Sequence, residues 1–202
     1  MEQCEEVLEG HANAIDRIWV LTASAMIFFM QAGFSLVESG SVRPKSNSNI
    51  LIKNLFDGAI GAIGWYLVGY GFAFGEDSSG FVGTSKFAGT SISPEDKSGY
   101  YLQWLFQFTF CATSSTIVSG SLAERTYLET YLIYSLYMSA FVYPIIVHWV
   151  WHPQGWLAED GMIDFAGSGV VHLVGGASGF IGAYIIGPRF DVFNEYSNSE
   201  DK

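Results

Sequence analysis

The most distinctive residue for chemistry is His172, an imidazole within a long apolar stretch of the sequence. An ionisable group in such a setting is energetically expensive unless it faces a cavity or a partner. Spacings of three and four residues connect it with Ser168, Gly175 and Gly179, which predicts one shared helix face. A close-packed face bearing one imidazole fits a narrow lumen, where a neutral ring nitrogen can hydrogen-bond a passing small molecule. A histidine satisfied by a neighbouring backbone carbonyl explains the position equally well.

Aromatic residues form a second group with possible chemistry. Phe106 and Phe110 are four residues apart and therefore lie on one helix face, where two rings in series can close a pore and attract a cation through their π faces. Two core aromatics are the simpler alternative. Trp149, Trp151 and Trp156 fit an interfacial aromatic belt, although a tryptophan turned into a vestibule could hold a small cation.

Other polar residues carry weaker signals. His148 and His152 have a spacing that can bind zinc, but no third ligand lies beside them in the sequence. A membrane metal or haem site that also uses His172 is a further alternative. Asp57 and Asp164 each flank an apolar stretch, so helix N-capping is the plain expectation. Because there is no phosphate-binding glycine loop, nucleophile elbow or apolar carboxylate pair, the sequence predicts neither an enzyme nor a cofactor.

Five stretches without Asp, Glu, Lys or Arg are each about long enough to cross the hydrocarbon layer of a membrane. They predict an all-α integral membrane protein with five transmembrane helices, at about residues 18–37, 56–75, 99–123, 128–150 and 166–188. The mean hydropathy is only +0.26, so polar faces of these helices must contact other helices or a pore. We predict one membrane domain over residues 1–202, ending in an acidic tail at 190–202.

The charge distribution indicates an orientation. The formal net charge of −11 leaves no basic surface for nucleic acid. If the N-terminus lies outside, most basic residues fall on the inner side, as the positive-inside rule requires. The strongest contribution comes from the predicted loop 38–57, which holds Arg43, Lys45 and Lys53. The acidic segment 1–16 lacks the basic start of a cleavable signal peptide, so the first span is expected to direct membrane insertion.

Several ordered blocks of this sequence resemble the Amt/Mep/Rh ammonium transporter family. The strongest block runs from Asp164 to His172 and continues through Gly175–Gly179 to Gly187–Arg189. The supporting blocks are Gly33–Gly40, Lys53–Asn54, Phe106–Phe110, Ile117–Gly120, Ala123–Arg125 and His148–Trp151. Chance agreement at so many ordered positions is implausible.

The resemblance implies a role for each matching residue. Phe106, Phe110 and Trp151 would form the external ammonium recruitment site and its phenylalanine gate. His172 would be the first of two histidines lining a hydrophobic pore, and Asp164 would support the recruitment site structurally. The resemblance further implies ammonium or ammonia as substrate, a homotrimer or a hetero-assembly with full-length family members, and a location in the plasma membrane.

Two departures from the family pattern stand out. Phe108 occupies a position where the family usually has a small residue, which predicts a narrowed or reoriented gate. The family fold has eleven helices, built as two inverted five-helix repeats plus one, and this sequence corresponds to the first repeat only. We therefore expect an incomplete half of a transporter. The alternative is a non-transporting regulatory subunit that assembles with full-length ammonium transporters.

Overall fold

The computed structural model describes residues 2–77, 79–92 and 97–189, and in these ranges the regular structure is entirely helical. Five long helical segments follow one another. The first segment is α1 (Glu2–Ser41), and the second consists of α2 (Asn47–Gly64), a π-helical turn (Trp65–Gly69) and α3 (Tyr70–Phe74). The third is α4 (Lys97–Leu122), and the fourth consists of α5 (Leu128–Tyr137), a π-helical turn (Met138–Val142) and α6 (Tyr143–Trp151). The fifth consists of a π-helical turn (Ser168–Leu173) and α8 (Val174–Ile186). The short helix α7 (Trp156–Glu159) and two 3₁₀ turns, Pro44–Ser46 and Phe87–Gly89, lie in the connections. The predicted acidic tail, 190–202, lies outside the described residues.

Three helical segments of the described chain are long and apolar enough to cross a membrane: Gly10–Ser41, Leu128–Glu159 and Ser168–Ile186. They coincide with the first, fourth and fifth predicted spans and confirm an all-helical protein with membrane-spanning character. The segments of the second and third predicted spans do not qualify. Their helices α2 and α4 carry many polar side chains, which lower the local hydropathy and, as shown below, pack inside the bundle.

The first two helical segments begin earlier in the chain than the predicted membrane spans do. Helix α1 begins at Glu2 rather than near residue 18, and α2 begins at Asn47 rather than near residue 56. The predicted loop 38–57 is therefore reduced to a short connection around the 3₁₀ turn. Lys53 lies within α2 and is buried, so it does not contribute a loop charge to the positive-inside pattern.

Helix α4 lies at the centre of the described bundle, where it packs against α1, α2 and α8. Its contact with α8 depends on glycine. A Cβ atom added at Gly175 would lie 2.9 Å from Ile117 Cβ and 2.9 Å from the Ser114 carbonyl oxygen, and one at Gly179 would lie 2.8 Å from Ser121 Oγ. The close approach of helix backbones that is expected at the small residues of α8 is therefore confirmed at Gly175 and Gly179.

A buried network of polar side chains connects helices α2, α4 and α5. Asp57 is fully buried and accepts hydrogen bonds from Ser115 Oγ (2.9 Å), Thr116 Oγ1 (2.6 Å) and Ser135 Oγ. These hydroxyls come from α4 and α5, so the carboxylate of α2 holds three helices together. The expectation that Asp57 caps a helix start is wrong, because the residue lies within α2 and its partners are side chains distant in sequence.

A second part of this network surrounds Glu38 at the end of α1. Glu38 accepts hydrogen bonds from Asn54 Nδ2 (2.8 Å) and Ser119 Oγ. Lys53 Nζ donates to the Ser119 carbonyl oxygen (3.0 Å) and lies 4.1 Å from the centre of the Tyr131 ring. Each charged group therefore has a specific partner, which is the condition under which charge is tolerated inside a protein.

Candidate functional site

Three aromatic rings from two helices form a continuous cluster. Phe106 and Phe110 of α4 meet edge to face, with ring centroids 5.1 Å apart, and Phe110 meets Trp151 at the end of α6 in the same way at 5.6 Å. All three rings are partly exposed. The residues that the resemblance assigned to a recruitment site thus lie together, with π faces available to a small cation.

Trp151 is held in place by the backbone of the following connection. Its indole Nε1 donates a hydrogen bond to the Asp164 carbonyl oxygen (2.7 Å). Gly167 lies against the same ring: a Cβ atom there would be 3.4 Å from Trp151 Cη2 and 2.6 Å from Val171 Cγ2, and its φ of +86° also favours glycine. The orientation of the tryptophan is therefore fixed from outside its own helix.

The Asp164 side chain caps the last helical segment, as predicted. One carboxylate oxygen accepts from the backbone nitrogens of Gly167 (3.0 Å) and Ser168 (2.9 Å), and the other from those of Gly169 (3.0 Å) and Val170 (2.7 Å). Four donors at a helix start suit a negative charge, which also interacts favourably with the helix dipole. Asp164 thereby connects the helix that carries His172 to the residue that holds Trp151.

His172 is exposed on the surface of the chain, whereas Gly175 and Gly179 are buried against α4. The expectation that the imidazole shares the close-packed glycine face is therefore wrong, because the π-helical turn at Ser168–Leu173 changes the angular position of the residues within it. Its Nδ1 lies 3.2 Å from the Gly167 carbonyl oxygen, which can only accept a hydrogen bond. The backbone thus satisfies one ring nitrogen and leaves Nε2 for another partner.

Phe108 lies on the opposite side of α4 from the aromatic cluster. Its ring is buried, stacks on Trp104 at 5.5 Å and approaches Phe28 of α1 at 6.1 Å. Residues two apart on a helix point in nearly opposite directions, so Phe108 does not enter between Phe106 and Phe110. Phe108 therefore does not narrow the space between these two rings, and the gate itself stays a prediction.

Trp149 and Trp156 pack together away from the cluster, with ring centroids 5.9 Å apart. Trp149 Nε1 donates to the Phe81 carbonyl oxygen (2.9 Å), and its ring contacts that of Phe81 at 5.0 Å. These tryptophans therefore secure the connection after α3.

His148 and His152 do have a third potential ligand, which the sequence did not indicate. Asp77 follows α3, and potential ligand atoms of the three residues lie within 4.8 Å of one another. Backbone hydrogen bonds from Ser79 and Gly80 outweigh the effect of burial and hold the pKa of Asp77 below its ordinary value, which favours a carboxylate. His172 is not part of this group.

At the other end of the bundle, Glu124 links three segments of the chain. It accepts from Arg43 Nε (3.0 Å) and Ser46 Oγ (2.9 Å), and its second oxygen pairs with Arg189 Nη1 (3.2 Å). Burial disfavours the charged form, but the hydrogen bonds from Arg43 and Ser46 and the Arg43 charge outweigh it and lower the pKa of Glu124. The sequence singled out Glu124 only as part of a family block.

Long apolar helices packed around a polar interior define a helical integral membrane protein. The family model described as Ammonium Transporter Family matches residues 18–201, so the chain belongs to the ammonium transporter family. The recognition made from sequence blocks is confirmed.

Known relatives agree with this assignment. Ammonium transporter 3 of Dictyostelium discoideum is 41% identical over 184 residues, covering 91% of this chain and 41% of that protein. Ammonium transporter 1 member 3 of Solanum lycopersicum is 43% identical over 195 residues, covering 92% and 42%. The solved structure of the "Sensor Amt Protein" superposes with a TM-score of 0.86 at 36% identity, covering 91% of this chain and 47% of that one.

The names of these relatives describe transporters rather than enzymes, as predicted. The chain spans less than half the length of each of them.

Proposed function

We propose that this chain forms the first five-helix repeat of an ammonium transporter and takes part in moving ammonium or ammonia across a membrane. Membership of the ammonium transporter family supports ammonium or ammonia as the substrate. The five helical segments and the match to less than half of each relative's length support the assignment to one repeat. In this proposal α2 and α4 also span the membrane, with their polar side chains satisfied inside the bundle.

Phe106, Phe110 and Trp151 form the ammonium recruitment site in this proposal. The observation that carries it is the series of ring contacts from Phe106 through Phe110 to Trp151, combined with the fixed orientation of Trp151 through Asp164. Partly exposed π faces attract a cation of the size of ammonium, and tryptophan does so best. Asp164 supports the site through the backbone and need not contact the ion.

His172 then lines the pore beyond this site. In this proposal it shares one apolar face with the exposed side chains of Phe165 (98% exposed), Leu173 (68%) and Phe180 (74%). A second repeat covering this face would enclose a narrow apolar path with an imidazole Nε2 in its wall. A bare cation is strongly disfavoured in such a path and neutral ammonia much less so, which favours loss of a proton near the recruitment site.

The remaining family expectations form part of the same proposal. The protein lies in the plasma membrane with its N-terminus outside and assembles as a homotrimer or with full-length family members. Arg43, Lys45, Arg125 and Arg189 then lie toward the inner side, which fits the positive-inside rule without Lys53.

Methylammonium uptake tests the proposal in a yeast strain without its own ammonium transporters, with the protein expressed from its complete transcript. His172→Asp should abolish uptake, because it places a carboxylate in an apolar path. His11→Asp, at an exposed position of α1, is the matched control and should retain it. Uptake that is unchanged in His172→Asp would overturn the pore assignment. A transcript ending at Lys202 whose product lowers uptake by a co-expressed full-length relative would instead establish the regulatory subunit.

A further inference from the structure

Asp77, His148 and His152 converge from separate parts of the chain at one end of the bundle. Asp77 follows α3, His148 lies in the last turn of α6, and His152 follows that helix directly. The two imidazole rings are stacked nearly parallel, with centroids 4.3 Å apart and planes at 14°. Asp77 Oδ2 lies 3.4 Å from His148 Nε2. The side chains of Asp77 and His148 are almost completely buried, whereas His152 is partly exposed.

The hydrogen bonding of His148 leaves a lone pair directed at this group. Its Nδ1 lies 2.9 Å from the Ala73 carbonyl oxygen, and because a carbonyl only accepts, Nδ1 carries a proton. In the neutral ring Nε2 is then an unprotonated acceptor. It is buried and has no hydrogen-bond partner among the described residues, while its nearest charged neighbour is the Asp77 carboxylate. Two acceptors facing each other in a buried site repel unless a proton or a metal cation lies between them, and the third ligand, His152, beside them favours the metal.

We propose that Asp77, His148 and His152 bind a divalent transition-metal cation of the zinc type. Two imidazoles and one carboxylate form a ligand set typical of zinc sites that leave a fourth position to water. The bond from His148 Nδ1 to a backbone carbonyl is the usual outer contact of a metal-bound histidine, since it fixes the tautomer and the ring orientation. Magnesium and calcium are disfavoured, because they prefer oxygen ligands.

Binding requires small local movements. Ligands of tetrahedral zinc lie about 3.3 Å apart for bond lengths of about 2.0 Å, so a group spread over as much as 4.8 Å must contract. His152 must also give up the long hydrogen bond that its Nδ1 accepts from Gln154 N (3.2 Å). The residues that must move are Asp77 and His152, and both lie in connections that follow a helix rather than inside one. The contraction therefore does not disturb the core.

Bound metal would tie the connection after α3 to the end of α6. Trp156 N already donates to the Gly80 carbonyl oxygen (3.0 Å), and Trp149 bonds Phe81, so the two segments are in contact without metal. Trp151 lies between the two histidines in the sequence and belongs to the aromatic cluster. A metal at this position would stiffen the chain on both sides of that residue.

Isothermal titration of the purified protein with Zn²⁺ and with Mg²⁺, expressed from the complete transcript, tests the site. One Zn²⁺ per chain should bind, Mg²⁺ should not, and Co²⁺ should give the intense visible absorption of a tetrahedral site. His152→Ala and Asp77→Asn should each weaken Zn²⁺ binding by about tenfold or more, whereas His11→Ala should not. His152→Ala is the primary variant because its partly exposed position avoids disturbing the buried core, and gel filtration verifies the fold.

Two results would overturn the proposal. Wild-type protein that elutes as folded and binds no Zn²⁺ would show that Asp77, His148 and His152 do not form a metal site. Equal Zn²⁺ binding by wild type, His152→Ala and Asp77→Asn would show that the metal binds elsewhere. Neither result affects the proposed transport role, because methylammonium uptake is measured without added metal.

Discussion

Two regions of helix α4 differ in the side chains that they carry and in the exposure of those side chains. In its middle, Phe106 and Phe110 are partly exposed and contact each other edge to face, and Phe110 contacts Trp151 in the same way. Further along, Ser115, Thr116 and Ser119 are buried and donate to carboxylates of neighbouring helices.

The two regions also satisfy their carboxylates differently. Asp164 beside the aromatic cluster receives four bonds from backbone nitrogens, whereas Asp57 in the polar interior receives bonds from side-chain hydroxyls of α4 and α5. Backbone donors fix a local turn and leave nearby side chains free to bind. Side-chain donors from separate helices hold those helices together. We therefore expect substitutions in the polar interior to change stability most, and substitutions at the aromatic cluster to change transport most.

The largest loss of stability should follow Asp57→Ala. This change removes the carboxylate that accepts from the buried hydroxyls of Ser115, Thr116 and Ser135. It also removes a negative charge that favours the charged form of Lys53. Together these losses should cost about 3 kcal/mol or more of unfolding free energy. Thermal unfolding in detergent measures the effect, with Asp16→Ala at an exposed site of α1 as control. Equal stability of the two variants would contradict a structural role for the network.

A smaller loss is expected where α8 packs on α4. Gly175→Ala places a methyl group 2.9 Å from both Ile117 Cβ and the Ser114 carbonyl oxygen, so the helices must separate. Such overpacking should cost about 1 to 3 kcal/mol. Gly176→Ala is the matched control, since a Cβ atom there meets nothing within 4 Å. If both variants unfold at the same temperature, the close contact between these helices is not important for stability.

The sequence predicted the helices better than the polar interior. Long stretches without charged residues correctly predicted membrane-length helices at α1, at the segment of α5 and α6, and at the segment of α8. These helices are long and apolar. It failed at Lys53 and Asp57, which were assigned to a loop and a helix start. Their partners, Ser119 and Ser115, lie far away in the sequence, so no local pattern could reveal that these charges are buried and satisfied.

At the candidate site, too, the sequence predicted the features that depend on local spacing and missed those that depend on packing between distant segments. The spacing of Phe106 and Phe110 was sufficient to place both rings on one face, and Asp164 was recognised as a helix cap from its local context. Sequence spacing placed His172 on the glycine face, because it assumes a regular α-helix and the structure has a π-helical turn there. Asp77 was missed as a neighbour of His148 because the two residues meet only through the packing of α3 on α6.

At the aromatic cluster, Trp151→Phe should impair transport and leave the fold intact. The change keeps an aromatic ring and removes the hydrogen bond to the Asp164 carbonyl oxygen. Loss of about 1 kcal/mol of orientation energy should raise the half-saturating methylammonium concentration about fivefold. Trp149→Phe removes a comparable bond to Phe81 outside the cluster and should leave that concentration unchanged. Equal shifts in both variants would contradict the recruitment assignment.

The smallest effect should depend on pH and involve Glu124 at the opposite end of the bundle. Its pKa is lowered in the folded protein, so its carboxylate stabilises the fold above the unfolded value of about 4.3, and this contribution is lost as the pH falls through the folded pKa. Because Arg43 is more than half exposed, the contribution should not exceed about 1 kcal/mol. Unfolding temperatures of wild type and Glu124→Gln should therefore differ slightly at pH 7 and converge in acid. A difference that persists unchanged in acid would mean that Glu124 stabilises the protein by packing rather than by its charge.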